Sequence, residues 1–239
     1  MSDMFSITSA TIHVWQLDLD LTDSQYQQFA LCLNPEELAR ADKFTHNQAQ
    51  QQFIAARGQL KQILAGYLHL APETILFETG EYGKPRLAGT AIDRGLVFNL
   101  SHSGLSALVA VSIDRALGID IEQINDRHNL QALAKRCFSQ HELNTWEKLP
   151  ANDKTTGFYA YWCAKEAFLK ATGRGLALGM ERCVVDIDQS CYSSLPEPYL
   201  PMDWHLHCID AGFGYQAYVT GNGDSVEFLT RHSRTLVVP

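Results

Sequence analysis

The segment "FYAYWCAKEAFLKATG", residues 158–173, limits the possible folds more than any other. At 100° per residue, Phe158, Trp162 and Leu169 share one arc, and Ala160, Ala164 and Ala167 occupy the opposite side. A helix that is apolar or small nearly all round has to be covered nearly all round. Yet Lys165, Glu166 and Lys170 project from it. A charge buried without a partner costs several kcal/mol or shifts its pKa until it is neutral. Two readings follow. Glu166 and Lys170 form a pair one turn apart while Lys165 snorkels to solvent, or these charges meet partners from another element.

A second stretch offers such partners. "LGIDIEQI", residues 117–124, sets Asp120 and Glu122 among apolar residues. In a strand both carboxylates point to the same face. With Glu166 they make three carboxylates able to converge, and three anions repel unless a cation sits among them. A hard divalent ion with oxygen ligands, Mg²⁺ ahead of Ca²⁺, suits this set. Lys165 and Lys170 beside it suit a phosphate-bearing substrate.

The rest of the chain is organised around these two segments. "TIHVWQL" (11–17) alternates like a strand, and "NPEELARADKF" (34–44) opens with a helix-start signal. Phe53, Ala56, Leu60, Ile63, Leu64, Tyr67 and Leu68 mark a second amphipathic helix. "TGEYGKPRLAG" reads as a loop, and "LVFNLSHS" and "SALVAVS" as strands about a polar turn. Helices are expected near 129–137, 139–148 and 153–171, then strands and turns over 181–231. "FIAARGQL" (53–60) aligns with "YWCAKEAF" (161–168) without a gap, so Arg57 falls on Lys165. Each half thus runs strands, helix, loop, strands. The expected fold is α+β, with two similar lobes in pseudo-twofold arrangement, residues 1–114 and 115–239. Each lobe is a small, mostly antiparallel sheet packed on a long helix, and the ligand cleft lies between the lobes.

"LGIDIE" followed some 40 residues later by "WCAKEAFLKATGRGL" closely resembles the 4′-phosphopantetheinyl transferase superfamily. "GKPRL" (83–87) and "FNLSHSG" (98–104) match two further family segments in the expected order. The resemblance covers about residues 40–176, and the length points to the larger, pseudo-dimeric, monomeric type. It implies an enzyme that moves 4′-phosphopantetheine from coenzyme A to a serine of an acidic, helical carrier protein or domain. The co-product is 3′,5′-ADP and the cofactor is Mg²⁺, or Mn²⁺. Residue by residue, it implies Asp120, Glu122 and Glu166 as metal ligands. Glu166, or a water on the metal, is the base for the serine hydroxyl. Lys170 contacts the pyrophosphate, and Lys165, its neighbour in the motif, is expected to face phosphate too. Lys84 and Pro85 match the loop that holds the adenine end, and Ser101 and His102 a pair whose imidazole contacts a coenzyme A phosphate. Arg40, Lys43 and Arg57 supply positive charge where the family binds the 3′-phosphate. "THNQAQQQ" (45–52) carries no Arg or Lys, which leaves open which base reaches that group.

Glu142 has two readings. "FSQHEL" resembles a family stretch with a glutamate near the active site, but Ser139-x-x-Glu142 is also a capping box, and the cap is the expected role. Arg127, Lys135 and Arg136 are candidates for carrier docking, against the alternative of a solvated helix face.

Composition narrows the classes. A net charge of −8 disfavours a nucleic-acid binder. No apolar run is long enough to span a membrane, and "MSDMFSITSA" lacks the features of a secretory signal. Six cysteines without a C-x-x-C pair read as reduced thiols. A cytoplasmic protein is expected. The rivals are another Mg²⁺-dependent enzyme of phosphate esters, for which a P-loop signature is absent, and a non-catalytic coenzyme A binding protein.

Overall fold

The computed structural model describes residues 4–89, 95–126, 129–224 and 226–233. The first half opens with strand β1 (Thr11–Asp18), then helices α1 (Asp23–Ala30), α2 (Pro35–Ala41) and α3 (Asn47–Leu68). A small hairpin, β2 (Phe77–Thr79) and β3 (Pro85–Leu87), leads to a larger one, β4 (Leu96–Ser103) and β5 (Ser106–Ile113). The second half repeats the plan. Strand β6 (Leu117–Gln123) precedes α4 (Leu130–Cys137), α5 (Gln140–Glu147) and α6 (Lys154–Thr172). A small hairpin, β7 (Val184–Asp186) and β8 (Cys191–Ser194), again precedes a larger one, β9 (Trp204–Cys208) and β10 (Tyr215–Asn222). The last strand is β11 (Glu227–His232).

Sheet order repeats as well. β1-β5-β4 in the first half matches β6-β10-β9 in the second, all antiparallel. The α+β architecture of two similar lobes is therefore present. β11 departs from the expected partition at 115–239: it crosses back and pairs parallel with β1, beyond the end of its own half.

Each lobe has its own core, and a third core joins them. α3 covers one face of its sheet, packing Leu60, Ile63 and Leu64 on Trp15, Phe98, Val109 and Val111. α6 does the same in the second lobe, packing Ala164, Ala167 and Phe168 among Tyr192, Trp204 and Tyr218. The opposite sheet faces meet through Ile12, Val14, Leu108, Ala110, Leu117, Ile119, Ile121 and Val219. Both faces of β1 and β5 are thus buried, which is why "SALVAVSI" is apolar throughout instead of alternating.

Where the two sheets abut, the edge strands β4 and β6 do not pair through their backbones. Side chains of β4 stand in for a strand. Asn99 Oδ1 accepts from Ile119 N (2.8 Å), Ser101 Oγ from Ile121 N (3.4 Å) and Ser103 Oγ from Gln123 N (3.0 Å). An exposed strand edge would otherwise leave these donors unmet. This polar ladder fixes the register of β6 against the first lobe.

Candidate active site

The alternation of β6 builds the acidic face. Leu117, Ile119 and Ile121 go to the interlobe core, so Gly118, Asp120 and Glu122 point to α6. Gly118 sets the separation. A Cβ there would lie 2.0 Å from Ala167 O and 2.5 Å from Ala171 N. Only glycine, against the alanine side of α6, lets the strand come this close to the helix. That approach brings the strand carboxylates under Glu166 and Lys170.

Lys170 Nζ lies 2.6 Å from Asp120 Oδ1 and 2.8 Å from Ser101 Oγ, and Ser101 Oγ donates to Asp120 Oδ1 at 2.9 Å. Lys170 therefore pairs across the strand with Asp120; its salt bridge is not with Glu166. Ser103 Oγ donates to Glu122 Oε2 at 2.8 Å. Burial pushes the Glu166 carboxyl up to about 7, and the negative charge of Asp120 adds to this; Lys170 opposes it and Glu122 reinforces it. Asp120 Oδ2 is buried with no hydrogen-bond partner. The neighbouring Cys163 thiol donates to Gln216 O (3.4 Å), and burial and then the charge of Asp120 push its pKa well up.

Among the described residues, no group of three or more His, Cys, Asp or Glu is already arranged as a metal-binding cluster. The donor set nonetheless fits a hard divalent cation. An unsatisfied buried carboxylate oxygen on Asp120, and a Glu166 that resists ionisation beside two other acids, both gain from a positive charge placed between them.

A basic pocket of ≈ 310 Å³ opens alongside, built from the first lobe alone. Arg40, Phe53, Arg57, Pro85 and His102 are among its lining residues. Arg40 and Arg57 both stand over the Phe53 ring, at 5.3 and 5.8 Å from its centroid. Although much of His102 is exposed, packing about the ring and then the Lys170 ammonium push its pKa below the usual value. Ser101, one residue earlier, points the other way, into the seam. Lys43 is exposed and lies outside the residues lining this pocket. Pro85 also borders a larger depression of ≈ 900 Å³ that continues past Arg40 and Arg57 to Phe77. Lys84 braces the lobes: its Nζ donates to Leu117 O (2.7 Å) and Ala171 O (3.3 Å), and burial lowers its pKa to about 8.

Lys165 requires a correction. It neither snorkels nor faces phosphate. Its side chain is fully buried, with Nζ 2.7 Å from Glu142 Oε2, 3.2 Å from Met180 O and 2.5 Å from Cys183 O. All three ammonium protons are used, so none is left for a ligand. Glu142 is the capping residue expected, donated to by Ser139 N at 2.7 Å, and it also receives Val185 N at 2.8 Å. The sequence reading missed that the cap and the buried lysine are one unit. It missed the equivalent in the first lobe too. Lys61, fully buried, lies 2.8 Å from Glu37 Oε2, and Glu37 closes the capping box of α2 with Asn34. The pattern Asn34-x-x-Glu37 was legible, but the lysine's burial was not.

The sequence profile described as the 4′-phosphopantetheinyl transferase superfamily matches residues 116–221. A second, described as 4′-phosphopantetheinyl transferase, N-terminal, matches residues 20–114. The 4′-phosphopantetheinyl transferase HetI of Nostoc sp. is 42% identical over 72% of this chain and 73% of its own length. The chain belongs to the 4′-phosphopantetheinyl transferase superfamily. A putative 4′-phosphopantetheinyl transferase of Synechocystis sp. is 34% identical over 73% of this chain and 70% of its own. The 4′-phosphopantetheinyl transferase Sfp of Bacillus subtilis is 28% identical over 82% and 86%. Two matching profiles in tandem place this phosphopantetheinyl transferase with the larger, two-lobed type. No helix among its described residues is long and apolar enough to cross a membrane.

Proposed function

We propose that this protein moves the 4′-phosphopantetheine group of coenzyme A to a serine hydroxyl of an acyl or peptidyl carrier protein, releasing 3′,5′-ADP. The observation that carries the reading is the convergence of Asp120, Glu122, Glu166 and Lys170 where β6 crosses α6, with Lys170 near enough to His102, in the pocket bearing Arg40 and Arg57, to lower its pKa. The serine oxygen attacks the β-phosphorus of the coenzyme A pyrophosphate. The bond from that phosphorus to the bridging oxygen breaks, and 3′,5′-ADP takes the electron pair.

The residues divide the work. Glu166, held near neutrality, is matched to accept the serine proton. Lys170, fixed by Ser101 and Asp120, presents positive charge that needs no reorganisation as the leaving oxygen gains charge. Arg40, Arg57 and His102 hold the phosphates of the nucleotide end, Pro85 shapes the wall, and Lys84 keeps the wall closed on the second lobe. Asp120, Glu122 and Glu166 would hold a divalent cation, Mg²⁺ or Mn²⁺, which when bound neutralises charge on the pyrophosphate. Lys135 and Arg136, exposed on α4, are proposed to attract an acidic carrier despite the overall charge of −8; Arg127 lies outside the described residues.

Intact mass of a recombinant carrier domain after incubation with this protein, coenzyme A and Mg²⁺ tests the reading. A gain of one phosphopantetheine group with release of 3′,5′-ADP supports it. An unmodified carrier, or release of free phosphate instead, sinks it.

A further inference from the structure

The ends of β4 and β6 lie side by side, and two apolar side chains are displayed there. Leu105, in the β4–β5 turn, is 44% exposed, and Phe213 is fully exposed. Single exposed apolar residues are ordinary and carry no message. These two differ in how they are held. Phe213 sits between Gly212 (φ 89°) and Gly214 (φ 83°), both in the left-handed region that glycine alone enters without strain. The turn is tied at both ends. Gly212 N donates to Asp210 Oδ1 (3.1 Å), Tyr215 N to Gly212 O (3.3 Å) and Ile124 N to Gly214 O (2.8 Å). Leu105 is pinned in turn: its N–H donates to Tyr215 Oη (3.3 Å), and its carbonyl accepts from Leu19 N (2.9 Å). The backbone thus fixes two apolar side chains outward, Phe213 wholly and Leu105 in part, and leaves their exposed apolar surface without the stabilisation that burial would give.

Position gives the display a use. Gln216 pairs with Glu122 across β10 and β6, so Phe213, in the turn that leads into β10, lies three residues before the partner of the last strand carboxylate. Ser103, which binds Glu122, is two residues before Leu105. Any protein that brings a hydroxyl to Glu122 and Glu166 has to cover this edge. The neighbouring charges, Glu122 and Asp210, are negative, so an acidic partner gains nothing here from electrostatics.

We infer that Phe213 and Leu105 form the apolar anchor on which the acceptor carrier protein docks, through an exposed apolar side chain beside its serine. The inference rests on the function proposed above and names the contact that the α4 cations alone do not supply. A protein interface takes most of its strength from a few such anchors.

The test is steady-state transfer to a carrier domain by Phe213→Ser, Phe213→Asp and Leu105→Ser, at low and high salt. The carrier KM rises about tenfold in Phe213→Ser, equally at both salt concentrations, and further in Phe213→Asp at low salt, where the added negative charge repels an acidic carrier. The coenzyme A KM and the thermal midpoint stay at wild-type values, since Phe213 packs on nothing. Phe213→Leu restores most of the affinity. An unchanged carrier KM in both Phe213 variants, with the wild type active, overturns the docking assignment and leaves the proposed function standing. A change of oligomeric state on Phe213→Asp, with carrier KM unaltered, assigns the patch to a second copy instead. A wild type that transfers nothing to any carrier overturns the function and this inference with it.

Discussion

The two lobes use one plan, and only one of them carries the acids. In each, a capping-box glutamate at the start of a short helix reaches a fully buried lysine on the long helix: Glu37 to Lys61 at 2.8 Å, and Glu142 to Lys165 at 2.7 Å. In each, the long helix covers one face of a three-stranded antiparallel unit. The divergence lies outside that device. In the ungapped alignment, which sets Arg57 rather than Lys61 against Lys165, α3 has Gly58 where α6 has Glu166 and Gln62 where α6 has Lys170. Gly58 is needed for packing, since a Cβ there would lie 2.5 Å from Phe29 Cβ. The first lobe gave that position to the close approach of α1. Its positive side chains, Arg40 and Arg57, turn instead to a pocket. The same scaffold thus yields a half with a basic pocket and a half with an acidic face. The ladder of Asn99, Ser101 and Ser103 sets one against the other.

The contrast is most open to attack at Asp120. Asp120→Ala removes the residue that joins strand, helix and seam, and transfer is expected to fall by more than about 10³-fold. The variant should fold, because it also removes one of three mutually repelling acids. Full activity in a folded Asp120→Ala protein, checked by carrier mass and circular dichroism, would end the assignment of the chemistry to the second lobe.

The shared lysine–glutamate device predicts unequal costs. Lys165→Met strands a carboxylate that is 1% exposed, and urea unfolding should show a loss of about 3–5 kcal/mol. Lys61→Met should cost less. Glu37 is 13% exposed and keeps Arg57 at 3.6 Å. If the two variants lose the same amount, Arg57 does not compensate, and the comparison of the halves has to be redrawn.

Lys170→Ala should lower turnover by about 10²–10³-fold, while Gln62→Ala at the matching place in α3 leaves it unchanged. A change of less than threefold in Lys170→Ala, measured by steady-state rates, would reduce this lysine to a structural partner of Asp120.

The smallest effect is a pH-dependent one. The folded pKa of Glu166, about 7, lies above its ordinary value of 4.5. The folded state thus favours the protonated acid, and the stability tied to that proton is present below 4.5 and is lost as pH rises through 7. In protein stripped of divalent ions, Glu166→Gln should therefore raise the thermal midpoint by about 2–4 °C at pH 8 and leave it unchanged at pH 5. An equal rise at both pH values would mean that the gain comes from packing, not from charge.

The sequence by itself determined the elements and the shared faces. Alternation in "LGIDIEQ" put Asp120 and Glu122 on one side, because a strand has a period of two. The all-round apolar pattern of 158–173 required a buried helix, and the aligned segments announced a repeat. Short-range physics settles such matters, and a sequence records it directly. It missed α1, which has a polar surface and little periodicity in "DSQYQQFA", and the hairpin β2–β3, whose strands of three residues are too short to show a period and partly lie in a stretch read as a loop. What only the tertiary structure decided were the partners. Three charges in one helix turn and a half look alike in a sequence, yet Lys165 goes to Glu142 and two backbone carbonyls, Lys170 to Asp120, and Glu166 to the acidic face. Their directions differ by 100° per residue, and what waits in each direction comes from strands and loops tens of residues away. Ser101 and Gly118 make the same point. A serine in a turn-flanking strand and a glycine in an apolar one acquire their roles only when β4 meets β6 and β6 lies on α6. Those contacts join residues far apart in the chain, and no local pattern encodes them.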